Sequence, residues 1–71
     1  MIRIFISETC PNCPQAKEWG KMMQEKGEEV IYYDVNTIDG RAEALYNDIL
    51  STPSVIINNG QIFRGVIPSN I

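Results

Sequence analysis

The feature that most constrains this chain is a pair of cysteines two residues apart, in the stretch Cys10-Pro11-Asn12-Cys13-Pro14. They are the only two cysteines in the 71 residues. The run Ile2–Ser7 alternates and is mostly β-branched, which predicts a strand, and Pro14 to Lys26 predicts a helix. The pair therefore lies where a strand turns into a helix. The unpaired N–H groups that begin a helix carry partial positive charge, so this position stabilises a thiolate.

A C-x-x-C pair at such a junction is typical of thiol–disulfide exchange, in which one thiolate attacks a disulfide and a second resolves the mixed disulfide. We expect Cys10, ahead of the helix, to be the exposed attacker, and Cys13, in the first turn, to be the buried resolver. The alternatives are a structural disulfide and half of a metal site. A zinc site needs four ligands, and the chain has no histidine and no further cysteine, so one chain cannot close a cysteine or histidine cage.

Length and charge limit the remaining possibilities. The 71 residues predict one domain spanning residues 1–71. The net charge of −3 argues against a nucleic-acid partner, and no apolar run is long enough to cross a membrane. The first residues lack the regions of a signal peptide, so we expect a cytoplasmic protein. In that compartment a C-x-x-C pair is more typical of catalysis or metal binding than of a permanent cross-link.

The rest of the chain predicts a second strand–helix unit and a terminal hairpin. Glu29–Val35 forms the strand, and the helix begins near Thr37–Asp39 and runs to about Ile49. One apolar face of this helix is predicted to contain Ala42, Leu45, Tyr46 and Ile49. Arg41 lies in the first turn of that helix, where a basic side chain can receive an anion.

The hairpin follows a Thr-Pro pair. Val55–Ile57 is its first strand, Asn58-Asn59-Gly60 is a turn sequence, and Gln61–Arg64 is the returning strand. The predicted order is βαβαββ. The first two strands should be parallel with a right-handed crossover, and the hairpin adds antiparallel strands, which makes a mixed sheet.

Over about residues 2–65 these features resemble the glutaredoxins and, more broadly, proteins of the thioredoxin fold. Cys10-Pro11-Asn12-Cys13 matches the dithiol Cys-Pro-x-Cys motif. Thr52-Pro53 matches the Thr-Pro element, whose proline is cis and lies beside the cysteines in that family. The resemblance implies an α/β, thioredoxin-like mixed four-stranded sheet with two helices, in which the third helix of the family is absent or vestigial.

The resemblance also implies a function. The chain is expected to be a thiol–disulfide oxidoreductase and electron carrier in cell redox homeostasis. Its partners would be protein or small-molecule disulfides, and its only redox group the Cys10–Cys13 disulfide, without a further cofactor. Thioredoxin reductase or glutathione would be the reductant. The implied substrate-binding residues are Pro11, Asn12, Thr52, Pro53 and Arg41.

Two departures from the family pattern lead to further expectations. Ser7 and Glu8 stand where glutathione-using members have a basic residue, and Gly65 stands alone where they have a Gly-Gly-acid element, so glutathione should be a poor reductant. Without a third helix, one sheet face should be under-covered. Either Val66, Ile67 and Ile71 fold back over it, or a second copy or partner covers it. The alternative function is an iron–sulfur or metal-ion binding and transfer module that uses the same cysteines.

Overall fold

The structure is a computed structural model that describes residues 1–57 and 60–68. The elements, in chain order, are β1 (Ile2–Ile6), α1 (Cys13–Glu25), β2 (Val30–Asp34), α2 (Ile38–Tyr46), β3 (Ser54–Ile56) and β4 (Ile62–Arg64). This is the predicted βαβαββ order, and each strand lies within about a residue of its predicted position. Among the described residues there is no third helix.

The four strands form one mixed sheet in the order β2-β1-β3-β4. β1 is central, parallel to β2 and antiparallel to β3, and β3 pairs antiparallel with β4. Phe5, near the end of β1, lies beside Ser54 at the start of β3. Because of this register, the loop that carries the cysteines and the Thr52-Pro53 segment lie at the same end of the sheet, beyond the C-terminus of β1. The thioredoxin-like α/β architecture predicted from the sequence is confirmed.

α1 covers one face of the sheet with a continuous apolar stripe. Ala16, Trp19 and Met23 are all buried, and their spacing of three and four residues places them on one side of the helix. They belong to a core cluster made of Ile2, Ile4, Ala16, Trp19, Met23 and Val55. Gly20 brings the helix backbone close to the sheet, because an added Cβ there would overlap the Tyr32 hydroxyl and the end of Ile4.

The tail partly compensates for the missing helix on this face. Ile67 is half-buried and packs against the α1-side cluster, as predicted. Val66 is 55% exposed, so this residue of the tail does not fold back over the sheet face. Ile71 lies outside the described residues. Of the neighbouring methionines, Met23 is buried and Met22 is exposed.

α2 covers the opposite face, but not with the side that the sequence predicts. Ala42, Leu45 and Tyr46 are exposed, whereas Gly40 and Ala44 face the sheet. The rotation follows from Gly40, where an added Cβ would overlap the carbonyl oxygen of Asp34 at the end of β2. Only glycine permits this backbone contact, so the side of the helix that carries Gly40 must face inward.

α2 is also three residues shorter than predicted. It ends at Tyr46, and Asp48 adopts a left-handed conformation with φ 58°. This turn closes with a hydrogen bond from the Ile49 N–H to the Ala44 carbonyl (2.7 Å) and directs Ile49 into the core below the helix. Ile49 is therefore buried, as predicted, but not as part of the helix. The second core cluster consists of Phe5, Ala44, Ile49 and Ile56.

The predicted hairpin is present as the β3–β4 pair. Gly60 has φ 87°, and its N–H donates to the Ile57 carbonyl at 2.8 Å. Asn58 and Asn59 of the predicted turn lie outside the described residues. No helix in the described part of the chain has the length and apolar character needed to cross a membrane.

Candidate active site

Cys10 and Cys13 form a disulfide at the start of α1, with their Cα atoms 5.4 Å apart. Cys10 lies in the loop before the helix and is half-buried, whereas Cys13 is the first helical residue and only 3% exposed. The loop is closed by hydrogen bonds from the Cys10 N–H to the Ser7 carbonyl (3.3 Å) and from the Cys13 N–H to the Cys10 carbonyl (3.4 Å). Cys10 is thus partly accessible to solvent, whereas Cys13 is not.

The N-terminus of α1 carries little that would neutralise its positive end. The N-cap residue, Asn12, makes no side-chain hydrogen bond to the helix, and the first turn contains no acidic residue. Pro14, in the first turn, has no N–H to satisfy. The partial positive charge at the start of the helix therefore acts on the adjacent sulfur atoms. Once the disulfide is reduced, this charge favours the thiolate form.

The loop before Cys10 is tied to the loop between β2 and α2. The Ser7 hydroxyl lies 3.2 Å from the Thr9 hydroxyl and accepts a hydrogen bond from the Asn36 side-chain amide at 3.3 Å. Glu8, between them, is exposed. These contacts hold the entry to the cysteine loop and connect it to the start of α2.

The Thr52–Pro53 peptide bond is cis, as the resemblance implies, and Pro53 is fully buried. The neighbouring Ser54 is buried as well, and its hydroxyl donates to the Ser51 carbonyl at 2.6 Å and accepts from the Gly65 N–H at 3.2 Å. This pair of hydrogen bonds joins the segment before β3 to the residue after β4. The proline loop and the tail are thereby held beside each other.

A groove of about 530 Å³ opens next to the cysteine loop. It is lined by Asn12, Gln15, Trp19, Pro53, Gly65, Val66 and Ile67. α1 forms one wall, and the tail after β4 forms the other. The sheet residues expected to be under-covered do not line it: Ile4 and Val55 are fully buried, so the groove lies between the tail and α1 and not over the sheet face.

The predicted substrate-binding residues lie in different parts of the structure. Asn12 and Pro53 meet in the groove, and Pro11 is exposed in the loop between the cysteines. Thr52 is half-buried and lines a separate cleft, of about 160 Å³, on the other side of the proline loop. Arg41 is exposed on α2, across the sheet from the groove, and is not among the residues that line it.

Of the residues that line the groove, sequence reasoning assigned only Asn12 and Pro53 to the site. Trp19 lies both in the core and in the groove wall, although an apolar residue within a predicted helix indicates only a core position. Gln15, one turn before it, and Val66 in the tail also line the groove. The missing signal is helical spacing: Asn12, Gln15 and Trp19 are separated by three and four residues and so lie on one side of α1.

Comparison with known proteins identifies the family. A family model described as a thioredoxin domain matches residues 1–70. This chain belongs to the thioredoxin-domain family. A probable thioredoxin of Archaeoglobus fulgidus is 40% identical over 67 residues, covering 93% of this chain and 74% of the relative.

Solved thioredoxin-like structures agree with this assignment. The crystal structure of the thioredoxin-like protein BC3987 is similar with a TM-score of 0.71 and 28% identity, over 92% of this chain and 86% of that one. A mutant of the same protein gives the same TM-score and identity. The narrower resemblance to glutaredoxins is not confirmed, since the curated relative is named a thioredoxin. The thioredoxin family, the fold and the Cys10–Cys13 disulfide together support a redox function.

Metal binding has less support in the same residues. Nowhere in residues 1–57 and 60–68 do three or more histidine, cysteine, aspartate or glutamate side chains come together so as to hold a metal ion. A site shared between two chains would need ligands that a single chain does not supply.

Proposed function

We propose that this protein is a dithiol–disulfide oxidoreductase that reduces disulfides through Cys10 and Cys13. The observation that carries the proposal is the unequal exposure of the two sulfur-bearing residues at the uncapped start of α1. The half-buried Cys10 can meet a substrate sulfur, and the buried Cys13 can meet only Cys10. This arrangement supports the division of roles predicted from the sequence.

The reaction begins from the dithiol form. The Cys10 thiolate attacks one sulfur of the substrate disulfide, forms a Cys10–substrate disulfide and releases the other substrate sulfur as a thiolate, which takes up a proton. The Cys13 thiolate, having lost its proton to solvent, then attacks the Cys10 sulfur. This step breaks the mixed disulfide, releases the second substrate thiolate and forms the Cys10–Cys13 disulfide. Two electrons pass to the substrate, and a dithiol or two monothiols must return them.

The groove beside the cysteines is suited to the chain that flanks a substrate cysteine. Pro53 and Asn12 lie in its walls, and Pro11 is exposed next to the attacking sulfur. We assign substrate contact to Pro11 and Asn12, and a supporting role to the fully buried Pro53 and to Thr52, whose peptide bond precedes it. Arg41 receives no role at this groove, because it lies across the sheet.

The residues that line the groove also indicate which reductant the protein uses. Four of its lining residues, namely Trp19, Pro53, Val66 and Ile67, are apolar, and none of the described lining residues is basic. Glutathione carries two carboxylates, which bind most strongly to cationic side chains, above all to arginine. We therefore favour a protein dithiol donor such as thioredoxin reductase over glutathione. Glutaredoxin-type activity and a cytoplasmic location stay predictions from the sequence.

Single-cysteine variants test the proposal. In Cys13→Ser, Cys10 should form a mixed disulfide with a disulfide substrate and be unable to release it, so mass spectrometry should detect a stable adduct. Cys10→Ser should form no adduct and lose disulfide reduction altogether. Wild-type protein, reduced and mixed with insulin, should transfer two electrons per molecule.

Two results would contradict this assignment. A stable adduct on Cys10→Ser with none on Cys13→Ser would reverse the roles of the cysteines. Failure of the reduced wild type to cleave any disulfide would reject the activity. In that case the iron–sulfur alternative predicts visible-range absorption from anaerobically purified protein, which the C-x-x-C dithiol alone does not produce.

A further inference from the structure

Ser54 is a buried polar residue in the otherwise apolar strand β3. It is 0% exposed, and the other two residues of the strand, Val55 and Ile56, belong to the two hydrophobic clusters. Burying a hydroxyl costs free energy unless it is hydrogen-bonded. The Ser54 hydroxyl is bonded in both directions: it donates to the Ser51 carbonyl at 2.6 Å and accepts from the Gly65 N–H at 3.2 Å. We call this arrangement the Ser54 bridge.

The Ser54 bridge begins where the hydrogen bonds between β3 and β4 end. The Ile57 N–H donates to the Gln61 carbonyl at 3.0 Å, and such bonds recur at every second residue pair of an antiparallel ladder. Two such steps along the register lead to the pair formed by Pro53 and Gly65. Pro53 has no N–H to donate, and the Gly65 N–H donates to the Ser54 hydroxyl. Beyond the last pair of strand residues, a side chain therefore joins β3 to the residue that follows β4.

The bridge fixes one end of the tail wall of the groove. By tail wall we mean residues 65–67, which line the groove opposite α1. Gly65, at the start of this wall, is bonded to Ser54, whereas at its other end Ile67 is half-buried and Pro68 is buried. The tail wall is therefore held at both ends, by a hydrogen bond at the first and by packing at the second.

Ser54 acts on the groove without lining it. Ile56, two residues along β3, belongs to the same cluster as Ala44 of α2, and side chains two residues apart in a strand lie on the same face of the sheet. The Ser54 hydroxyl therefore lies on the α2 side, whereas the groove opens beside α1. A substrate in the groove does not touch this hydroxyl, so Ser54 can influence the substrate only through the tail wall.

We propose that Ser54 is a positioning residue for disulfide reduction, and that its bridge sets the width of the groove between α1 and the tail wall. The inference rests on the proposed function, because it concerns the substrate of the same site. The groove is lined by the apolar side chains of Trp19, Val66 and Ile67. The bridge therefore selects substrates that carry a large apolar side chain next to the cysteine.

Removal of the hydroxyl should weaken this selection. The Gly65 N–H would lose its acceptor, and the start of the tail wall would be free to move away from α1. A gap of about 0.5–1 Å already removes roughly a quarter to a half of the dispersion energy between two atoms. The loss should be greater for a large substrate side chain, which contacts both walls, than for a small one.

Two disulfide-bridged peptides test the proposal. They are identical except that the cysteines are flanked by leucine in one peptide and by alanine in the other. The wild type should reduce the leucine peptide with a kcat/KM about tenfold above that of the alanine peptide, as expected when about two methylene-sized groups are buried. In Ser54→Ala this ratio should fall to about threefold or less, mainly through a higher KM for the leucine peptide.

Ser51→Ala is the matched control. It removes an exposed hydroxyl from the same turn and keeps the backbone carbonyl that accepts from Ser54, so its ratio should stay near tenfold. The ratio is insensitive to a merely structural effect, because a smaller folded fraction lowers both rates equally. A ratio near one in the wild type, a ratio that stays near tenfold in Ser54→Ala, or an equal fall in Ser51→Ala would overturn the proposal.

Two further measurements guard against a variant that does not fold. If circular dichroism shows that Ser54→Ala is unfolded, all three proteins are assayed in sucrose, which favours the folded state. Amide hydrogen exchange of the wild type tests the bridge without any substitution. Exchange of the Gly65 N–H as slow as that of the Ile57 N–H supports the bridge, whereas exchange at the rate of an unprotected amide overturns it.

Failure of the proposed function can be told apart from failure of the positioning role. If the wild type reduces neither peptide, the oxidised protein is titrated with both peptides after their cysteines have been replaced by serine. Tighter binding of the leucine peptide that Ser54→Ala loses and Ser51→Ala keeps supports the positioning role without the chemistry. Equal binding of the two peptides to the wild type rejects it.

Discussion

The two helices of this protein place their apolar residues on opposite sides. α1 buries Ala16, Trp19 and Met23 against the sheet, whereas α2 buries only Gly40 and Ala44 and exposes its large apolar side chains. α1 is held by side-chain packing. α2 is held by the close backbone approach of Gly40 to Asp34 and by Ala44 in the second core cluster, and the turn after it accepts a hydrogen bond from Arg64 Nε at the Asp48 carbonyl (3.2 Å).

Because of this difference, the large apolar side chains of α1 contribute to stability, whereas those of α2 do not. Of the large side chains that fix α1, only Trp19 also lines the groove. A helix seated by a glycine and an alanine stays in place with its large side chains free. The cysteines lie at the start of α1, the helix that is packed through its large side chains. This packing suits a site whose two sulfur atoms must keep their relative position.

The largest expected effect comes from removing one aromatic residue from each helix. Trp19→Ala should lower the free energy of unfolding by about 3–5 kcal/mol, because it empties the centre of the α1-side cluster. Tyr46→Ala, on the exposed side of α2, should change it by less than about 0.5 kcal/mol. Urea denaturation followed by far-UV circular dichroism measures both.

Equal losses from these two substitutions would contradict the division between the helices. They would mean that the Tyr46 side chain is buried in solution by another molecule. A loss confined to Tyr46→Ala that grows with protein concentration would identify the cover as a second copy, since dimer formation links stability to concentration.

The fold was predictable because its signals are local and repeated. The β-branched run of β1, the proline after Cys13 and the two βα units in succession determine the element order. The sequence does not reveal which side of α2 faces the sheet. Its apolar periodicity points to Leu45 and Tyr46, but a single backbone contact at Gly40 overrides that pattern. Such a contact depends on where β2 ends in space, which periodicity does not encode.

The candidate site was predictable only where chemistry limits the choice of residue. The cysteines were assigned because sulfur chemistry requires that residue type, and Pro53 was assigned through the resemblance of Thr52-Pro53 to the Thr-Pro element of the family. Trp19 and Val66 could not be assigned in either way, since an apolar groove wall uses the same residues as a core. Arg41 was predicted from its place in a helix first turn, and that position is across the sheet from the groove.

A second comparison uses the buried glycine of each helix. Gly40→Ala should cost about 1–3 kcal/mol, because the new methyl group meets the rigid backbone carbonyl of Asp34. Gly20→Ala should cost at least about 1 kcal/mol less, because its methyl group meets the ends of the Tyr32 and Ile4 side chains, which can move, and alanine favours the helix. Urea denaturation of both variants gives the two losses.

The pKa of the Tyr32 phenol reports whether this side chain moves in Gly20→Ala. Its hydroxyl donates to the Lys17 carbonyl at 3.2 Å, and burial raises the pKa of this phenol from its ordinary value of 10.0. In Gly20→Ala the displaced hydroxyl should meet more solvent, so its pKa should fall back toward that value. Phenolate absorbance as a function of pH follows this change. An unchanged pKa together with a large loss of stability would show that α1 has shifted instead.

The smallest effect concerns the N-caps, which also differ between the helices. Thr37, the N-cap of α2, accepts a hydrogen bond from the Gly40 N–H (3.0 Å) and donates one to the Asp34 carbonyl (2.7 Å). Thr37→Ala should therefore cost about 1 kcal/mol, and Thr37→Ser should restore most of it. Asn12, the N-cap of α1, makes no such bond, so Asn12→Ala should change stability by less than about 0.5 kcal/mol.

The two N-cap substitutions should also have different effects in a redox assay. Asn12 lines the groove, so Asn12→Ala should change the KM for a disulfide peptide while leaving the unfolding curve in place. Thr37→Ala should do the reverse. If Asn12→Ala instead destabilises the protein as much as Thr37→Ala, its side chain caps α1 in solution. The positive end of the helix would then be satisfied by Asn12, and its stabilisation of a Cys10 thiolate would be correspondingly weaker.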